Sequence, residues 1–471
     1  MRLLDTLSGE KREVPRGKRV NLFVCGPTVY DHAHIGHART YLTFDMLVRY
    51  LRAEGNRVFY LQNITDIDDK IIDRAREEKR PALALATAFY REHRRDMRVL
   101  NIKSVTKYAR ATSFISDMMR QVRILMKKGF AYTIPGDGVY FDISKFPDYG
   151  KLSRRTALEA EDAVSRIDES VAKRNRGDFC LWKFSKPDEP SWDTNLGRGR
   201  PGWHIEDTAI SEHHFGPQYD MHGGALDLKF PHHEAEIAQQ EAASGLKPFV
   251  KIWLHAGFLY VDGKKMSKSL KNFISISEFL KNNKPDALRW IVFSHHYRSP
   301  IYYDSDFLDQ HNRSWGGIVD FLRKLKFVEK AGGRISPASL SPKKLLEKFE
   351  AEARSTLDDD FNTPGAVAAF FGVVNAIQPH MWTLRRKDAK ILRRHLTKWL
   401  RIFGFSPEIT AIPLRVRILA WRRELSRRNE QFVQADALRK KIEELGYGVE
   451  DTPLGQFIQR GGNDIGVSRK P

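Results

Sequence analysis

A chain of 471 residues exceeds one ordinary core, so two to four domains are expected, and 41% hydrophobic with 29% charged residues marks a soluble globular protein. The opening MRLLDTLSGEKREV lacks an apolar signal region, and the longest apolar run, Ala366 to Val374, falls far short of the roughly 20 residues of a membrane span. Two cysteines, Cys25 and Cys180, exclude a disulfide framework, and the formal charge of +20 points to a polyanionic partner, nucleic acid above all.

The expectation is a cytoplasmic protein with no membrane partner. Its charge is uneven: residues 385–401 hold eight Lys/Arg against Asp388, and 415–428 hold six Arg against Glu424. In chain order, Val20 to Val24 reads as a strand, followed by a polar loop and a helix from about Ala38 to Ala53 with Gly55 as its stop. A second strand, Val58 to Leu61, leads into the carboxylate-rich NITDIDDK and another helix. This is the start of a parallel α/β sheet, whose ligands sit at the carboxyl ends of the strands. From Thr112 to Arg200 the texture turns to a helix and short strands broken by Gly and Pro, which reads as an insertion. The α/β pattern resumes at Trp203, and beyond Phe307 the pattern is helical to about Phe403. There DDDFNTPG offers Thr363 as N-cap with Pro364 at the first helical position.

Three stretches carry chemistry. His34-Ile35-Gly36-His37, placed in the loop after the first strand, puts two imidazoles where they can hold phosphate oxygens. Taken alone, two histidines before a helix are usually solvated. Lys265-Met266-Ser267-Lys268-Ser269 suits a clamp on a triphosphate. The third, GWHIEDTAI, carries the adjacent carboxylates Glu206 and Asp207, which suggest an acid–base pair, a metal wall or merely a charged helix start. If the segment is helical, the two neighbours point in different directions and cannot form a dyad.

The first two stretches, about 230 residues apart, match the HIGH and KMSKS signatures of class I aminoacyl-tRNA synthetases. The chain resembles cysteinyl-tRNA synthetases over nearly its full length, in VCGPTVYDHAHIGHAR, NITDIDDKII, GRPGWHIE, HGGALDLKFPHHEAEIAQ, KMSKSLKNF and DDDFNTP. The resemblance implies a class I Rossmann-like parallel-sheet catalytic domain (α/β) with an α+β insertion, then a helical bundle and a small anticodon-binding unit. The expected boundaries are 1–111 and 201–250 for the two catalytic halves, 112–200 for the insertion, 251–312 for the KMSKS region, 313–405 for the bundle and 406–471 for the last unit.

It further implies ligation of L-cysteine to tRNA(Cys) with ATP and Mg²⁺, one zinc per subunit, and a chain that is a monomer by preference. Catalytic and ATP-binding roles fall on His34, His37, Lys265 and Lys268, with Gly224 and Asp227 toward the adenosine. Thr65, Trp203 and His222 are expected to bind substrate. The zinc ligands are Cys25, His232, Glu236 and Asp207, the last where most of the family has cysteine. His232 and Glu236, four apart, share a helix face; His233, three from Glu236, is a competitor for the ion, but the family motif favours His232. Aspartate is a harder ligand than thiolate, so the site is expected to hold zinc less tightly. Lys271 stands where the family usually has glycine. A cysteine-adenylating paralogue that uses a small amine, or an inactive tRNA-binding paralogue, would share parts of this pattern.

Overall fold

The structure, a computed structural model, describes residues 1–155, 172–266, 272–332, 341–407 and 411–460. The chain divides into two compact units. The first comprises Met1–Tyr260, Lys265–Ile276 and Tyr297–Ile301, and the second the remainder.

The first unit is built on β1 (Arg19–Val24), α1 (Ile35–Ala53), β2 (Arg57–Ile64), α2 (Asp69–Glu77), α3 (Ala82–Val99) and β3 (Lys107–Arg110). The insertion follows: α4 (Ile115–Lys127) and an antiparallel sheet of β4 (Ala131–Ile134), β5 (Gly138–Phe141), β6 (Phe179–Phe184) and β7 (Gly199–Pro201). Then come α5 (Ile205–Phe215), β8 (Tyr219–Ala225), α6 (His232–Ser244) and β9 (Val250–Ala256). The main sheet has the order β9-β8-β1-β2-β3, and every pairing is parallel. Its strands are apolar on both faces, as helix-covered parallel strands must be. Insertion and sheet share one core, in which Phe141, Phe179 and Trp182 belong to the same buried cluster as Phe23, Leu61 and Trp253.

This topology positions the site. Strand order reverses between β1 and β8, and a crevice opens where such a reversal splays the connections apart. Cys25 follows β1 at that point, its amide donating to the Gly223 carbonyl at 3.0 Å. Gly26 lies so close to β2 that a Cβ there would meet the Asn63 carbonyl oxygen at 1.8 Å.

Two expected boundaries shift. Helix α1 begins at Ile35, not near Ala38, so Ile35, Gly36 and His37 form its first turn instead of a loop. The Thr363 helix is capped by Asn362, whose Oδ1 accepts from the Gly365 amide at 3.1 Å, and Thr363 is its first helical residue. Asn accepts that bond as readily as Thr, which is why adjacent capping residues are hard to tell apart in a sequence.

The second unit is helical: α7 (Ile276–Asn282), whose first residue belongs to the first unit, then α8 (Pro285–Phe293), α9 (Ser305–Ala331), α10 (Pro342–Asp358), α11 (Thr363–Ile377) and α12 (Arg386–Ile402). Trp290 on α8 packs against Trp315 on α9 and against Phe405. The chain continues with α13 (Leu414–Arg428), α14 (Phe432–Glu444) and the hairpin β10 (Tyr447–Thr452) and β11 (Gly455–Arg460). Among the described residues no helix is long and apolar enough to cross a membrane.

Candidate functional site

A cleft of ≈ 660 Å³ in the first unit is lined by residues from both ends of the chain's motif set, among them Cys25, His34, His37, Thr65, Trp203, Asp207, Asp227, His232 and Lys265. Two constellations of side chains open onto it.

The first is the imidazole pair at the start of α1. His34 is the N-cap: its Nδ1 accepts from the Gly36 amide at 3.1 Å and the His37 amide at 3.3 Å, while its own amide donates to His37 Nδ1 at 3.3 Å. The rings lie 3.8 Å apart. Burial, reinforced by each one's neighbouring histidine, pushes His34 down to about 3 and His37 to about 4, so both rings are neutral at pH 7. With each Nδ1 occupied as an acceptor, the single ring proton sits on Nε2. Both histidines therefore present N–H donors at a helix N-terminus, a site for anionic oxygens. A Cβ at position 36 would press on Met266 Cε at 2.8 Å and on the His34 ring at 2.9 Å, so a side chain there would have to displace the cap. Lys265 lies across the cleft, its Nζ 2.9 Å from Asp227 Oδ2 and 4.7 Å from the Phe258 ring centroid. Lys268 and Lys271 lie outside the described residues.

The second constellation is buried. Cys25 Sγ stands 3.2 Å from Asp207 Oδ2 and 4.0 Å from Glu236 Oε1. His232 Nε2 stands 3.1 Å from each of those two carboxylates. Ligand atoms on a tetrahedral zinc with bonds of about 2.0–2.3 Å are spaced by about 3.3–3.8 Å, and the separations here, from 3.1 to 4.0 Å, bracket that range, so the four donors are close enough to share one ion. Among the described residues Asp207 Oδ1 has no hydrogen-bond partner. Burial and the neighbouring carboxylates raise the Cys25 thiol, and burial with Asp207 raises Glu236. A pocket that pushes thiol and carboxyl toward their neutral forms is one whose chemistry a bound cation reverses.

Of the supporting side chains, the sequence pointed to Trp203, His222 and His233 but not to His204, His255 or Thr6. Trp203 stacks on His232 at 4.3 Å, and His204 Nδ1 lies 2.9 Å from His232 Nδ1. His222 Nε2 and His233 Nε2 stand 3.3 and 3.1 Å from Cys25 Sγ, and with Cys25 and Glu236 they form a second, overlapping donor set. A chain of bonds fixes one of these rings. Thr6 Oγ1 donates to the Trp253 carbonyl and so accepts from His255 Nδ1; His255 Nε2 then accepts from His233 Nδ1 at 2.8 Å, which leaves the His233 Nε2 lone pair facing Cys25. No spacing rule links these positions, because sheet pairing, not sequence, brings them together.

His222 and Gly224 are buried and are not among the residues that line the cleft. His222 backs Cys25, and Gly224 makes room for His233, whose ring a Cβ would meet at 2.8 Å. Thr65 lines the cleft and donates to Glu206 Oε2 at 2.7 Å, which gives Glu206 a partner that no motif in the sequence pointed to. The carboxylates of NITDIDDK are structural: Asp66 receives Arg110 Nε at 2.8 Å, Asp68 caps α2, and Asp69 pairs with Lys183 and Arg200.

A class I fold with paired helix-capping imidazoles at the strand-order reversal defines a class I aminoacyl-tRNA synthetase core, and residues 12–313 match the family model of the class I (C) tRNA synthetase catalytic domain, with 353–406 matching the DALR domain. The chain is 40% identical to a cysteine–tRNA ligase of Thermoplasma volcanium, covering 94% of this chain and 95% of that protein. It is also 40% identical to one of Thermococcus onnurineus, over 98% of this chain and 99% of that protein. The chain belongs to the cysteine–tRNA ligase family. At the level of fold alone it is similar to Mycobacterium tuberculosis methionyl-tRNA synthetase in complex with methionyl-adenylate (TM-score 0.59, 15% identity, 82% of this chain and 89% of that one). The LeuRS of Agrobacterium radiobacter K84 in its complex with tRNA and LeuAMS is a further fold relative (TM-score 0.61, 12% identity, 82% and 84%).

Proposed function

We propose that this protein activates L-cysteine with ATP and transfers it to the terminal adenosine of tRNA(Cys). The observation that carries this reading is the opening of two chemically different constellations onto one cleft, neutral N–H donors with Lys265 on one side and the Cys25–Asp207–His232–Glu236 cluster on the other.

In the first step the cysteine carboxylate oxygen bonds to the α-phosphorus of ATP and pyrophosphate leaves with the electron pair. In the second a ribose hydroxyl, the 2′-OH, bonds to the carbonyl carbon, the acyl–phosphate C–O bond breaks, and AMP leaves with its electron pair while the hydroxyl proton passes to the departing phosphate. His34 and His37 donate from Nε2 to phosphate oxygens as charge builds on them, with Lys265 beside them and Lys268 completing the clamp; Mg²⁺ carried in with ATP would neutralise part of that phosphate charge. Lys265 exchanges Asp227 for phosphate when ATP enters, freeing that carboxylate for the ribose. Thr65, anchored by Glu206, and Trp203, stacked on His232, bound a small amino-acid pocket.

A zinc ion held by Cys25, Asp207, His232 and Glu236 would supply a centre that prefers sulfur to oxygen. Serine differs from cysteine by that one atom, and shape alone discriminates poorly between near-isosteres. The test is ATP–pyrophosphate exchange with each amino acid. Exchange that depends on cysteine and not on serine is expected; exchange dependent on neither would overturn the reading.

A further inference from the structure

Helix α13 is apolar on two sides, and one of them is bare. On the covered side Val416 and Ala420 pack with Ile442, Tyr447 and Val449 into the small core at the C-terminal end of the chain. On the opposite side Leu414, Ile418, Trp421 and Leu425 are 67%, 42%, 64% and 45% exposed. Exposed apolar residues scattered singly are ordinary, but four in one row, a tryptophan among them, mark an interaction surface.

The spacing identifies the kind of partner. Steps of four, three and four residues are those of alternating d and a positions in a heptad, with Leu414 and Trp421 at d and Ile418 and Leu425 at a. At about 100° per residue the row spans about 60° of the helix circumference, and it runs about 16 Å along the axis. A face that packs on a broad apolar surface is about 100° wide or more, whereas a row this narrow is the seam for one facing helix. The flanking positions set that helix's charge. Arg415 and Arg422 fall at e and Arg417 at g; all three are exposed, and none makes an ion pair among the described residues. Glu424, the other g position, is occupied by Arg428 Nε at 3.1 Å and Gln456 Nε2 at 2.6 Å. A second copy of this chain would set arginine against arginine along most of the seam. RNA would engage the arginines and the Trp421 ring but leave Leu414, Ile418 and Leu425 with nothing to pack against.

We infer that the outer face of α13 docks an acidic helix of another protein, with Leu or Ile interdigitating along the seam and Glu or Asp facing Arg415, Arg417 and Arg422. Trp421 is its central anchor. None of these residues lines the cleft, so the dock is a separate site from the charging chemistry.

The test uses the full-length protein and a synthetic peptide of about three heptads with Ile at a, Leu at d and Glu at e and g, beside a scrambled peptide of the same composition. Wild type is expected to bind the patterned peptide about tenfold more tightly than the scrambled one. The double variant Ile418→Asn, Leu425→Asn is expected to lose about tenfold toward the patterned peptide while unfolding close to the wild-type temperature. The double variant Arg415→Glu, Arg417→Glu is expected to transfer the preference to a patterned peptide with Lys at e and g. Equal binding of patterned and scrambled peptides would reduce the effect to the net charge of +20 and overturn the proposal. So would unchanged binding in the asparagine variant, or a preference that the arginine reversals leave in place. A loss of tRNA(Cys) affinity in the asparagine variant that matches its loss of peptide affinity would assign the face to RNA, and wild-type self-association that this variant abolishes would assign it to a second copy; either result also sinks the proposal.

Discussion

Asp207 reaches Cys25 at 3.2 Å and His232 at 3.1 Å, while Glu206, one residue earlier on α5, turns to Thr65. Successive residues on a helix are about 100° apart, so two adjacent carboxylates serve two different walls. Asp207→Ala is therefore expected to lose most of its bound zinc, and Asp207→Cys to bind zinc more tightly than the natural chain, both read as metal content after dialysis. Full occupancy in Asp207→Ala would move the ion to the overlapping set with His222 and His233. His204→Ala, which removes the partner of His232 Nδ1, is expected to weaken zinc binding about 10–100-fold by competition with a chelator.

The depressed histidines set a pH dependence. His34, His37 and His93 are neutral in the fold and bind protons near pH 6.5 when unfolded, so their stabilising contribution is complete above that pH and is lost as pH falls toward 3–4. For His93 the loss by pH 5 is about 2 kcal/mol, and His93→Phe should lose that much less stability between pH 7.5 and 5.0 in urea titrations.

At the scale of elements, α1 and α11 show how caps place function. The α1 cap is a histidine pair, an unusual capping box, and its hydrogen bonds determine which nitrogen of each ring faces the cleft. Gly36→Ala pushes against Met266 and His34, and is expected to lower cysteine-dependent exchange more than it lowers thermal stability. Asn362→Ala removes an ordinary cap in the helical unit and is expected to cost about 1 kcal/mol, read as a lower melting temperature without loss of exchange rate. The strand–helix–strand start, the insertion and the helical run were all legible, because apolar periodicity survives in a single sequence. The His34 cap was not, since histidine is absent from the usual capping residues and the motif looked like a loop.

At the scale of the molecule, the charge of +20 must be divided between binding and structure. On α13, Arg415, Arg417 and Arg422 are exposed, whereas Arg423 is buried and donates through both Nη atoms to Asp451 at 2.7 Å. Reversing Arg422 to Glu is expected to weaken tRNA binding and to lower the slope of log K against log salt by about 1 for each phosphate that is no longer neutralised. Arg423→Ala should instead destabilise α13 and the β10–β11 hairpin, seen as faster amide exchange there.

By itself the sequence determined the classes of chemistry and the order of the elements: motif spacing, helix periodicity and charge are local properties of the chain. It also paired His232 with Glu236, because four residues make one helical turn. The tertiary structure alone decided that Glu206 turns to Thr65, that His222 backs Cys25 and Gly224 makes room for His233, and that the His93 ring nitrogens have no partner among the described residues. Those outcomes depend on the register of β8 against β1 and on the packing of α3 and α6 over the sheet, where residues nearly 200 positions apart meet and leave no periodicity to read.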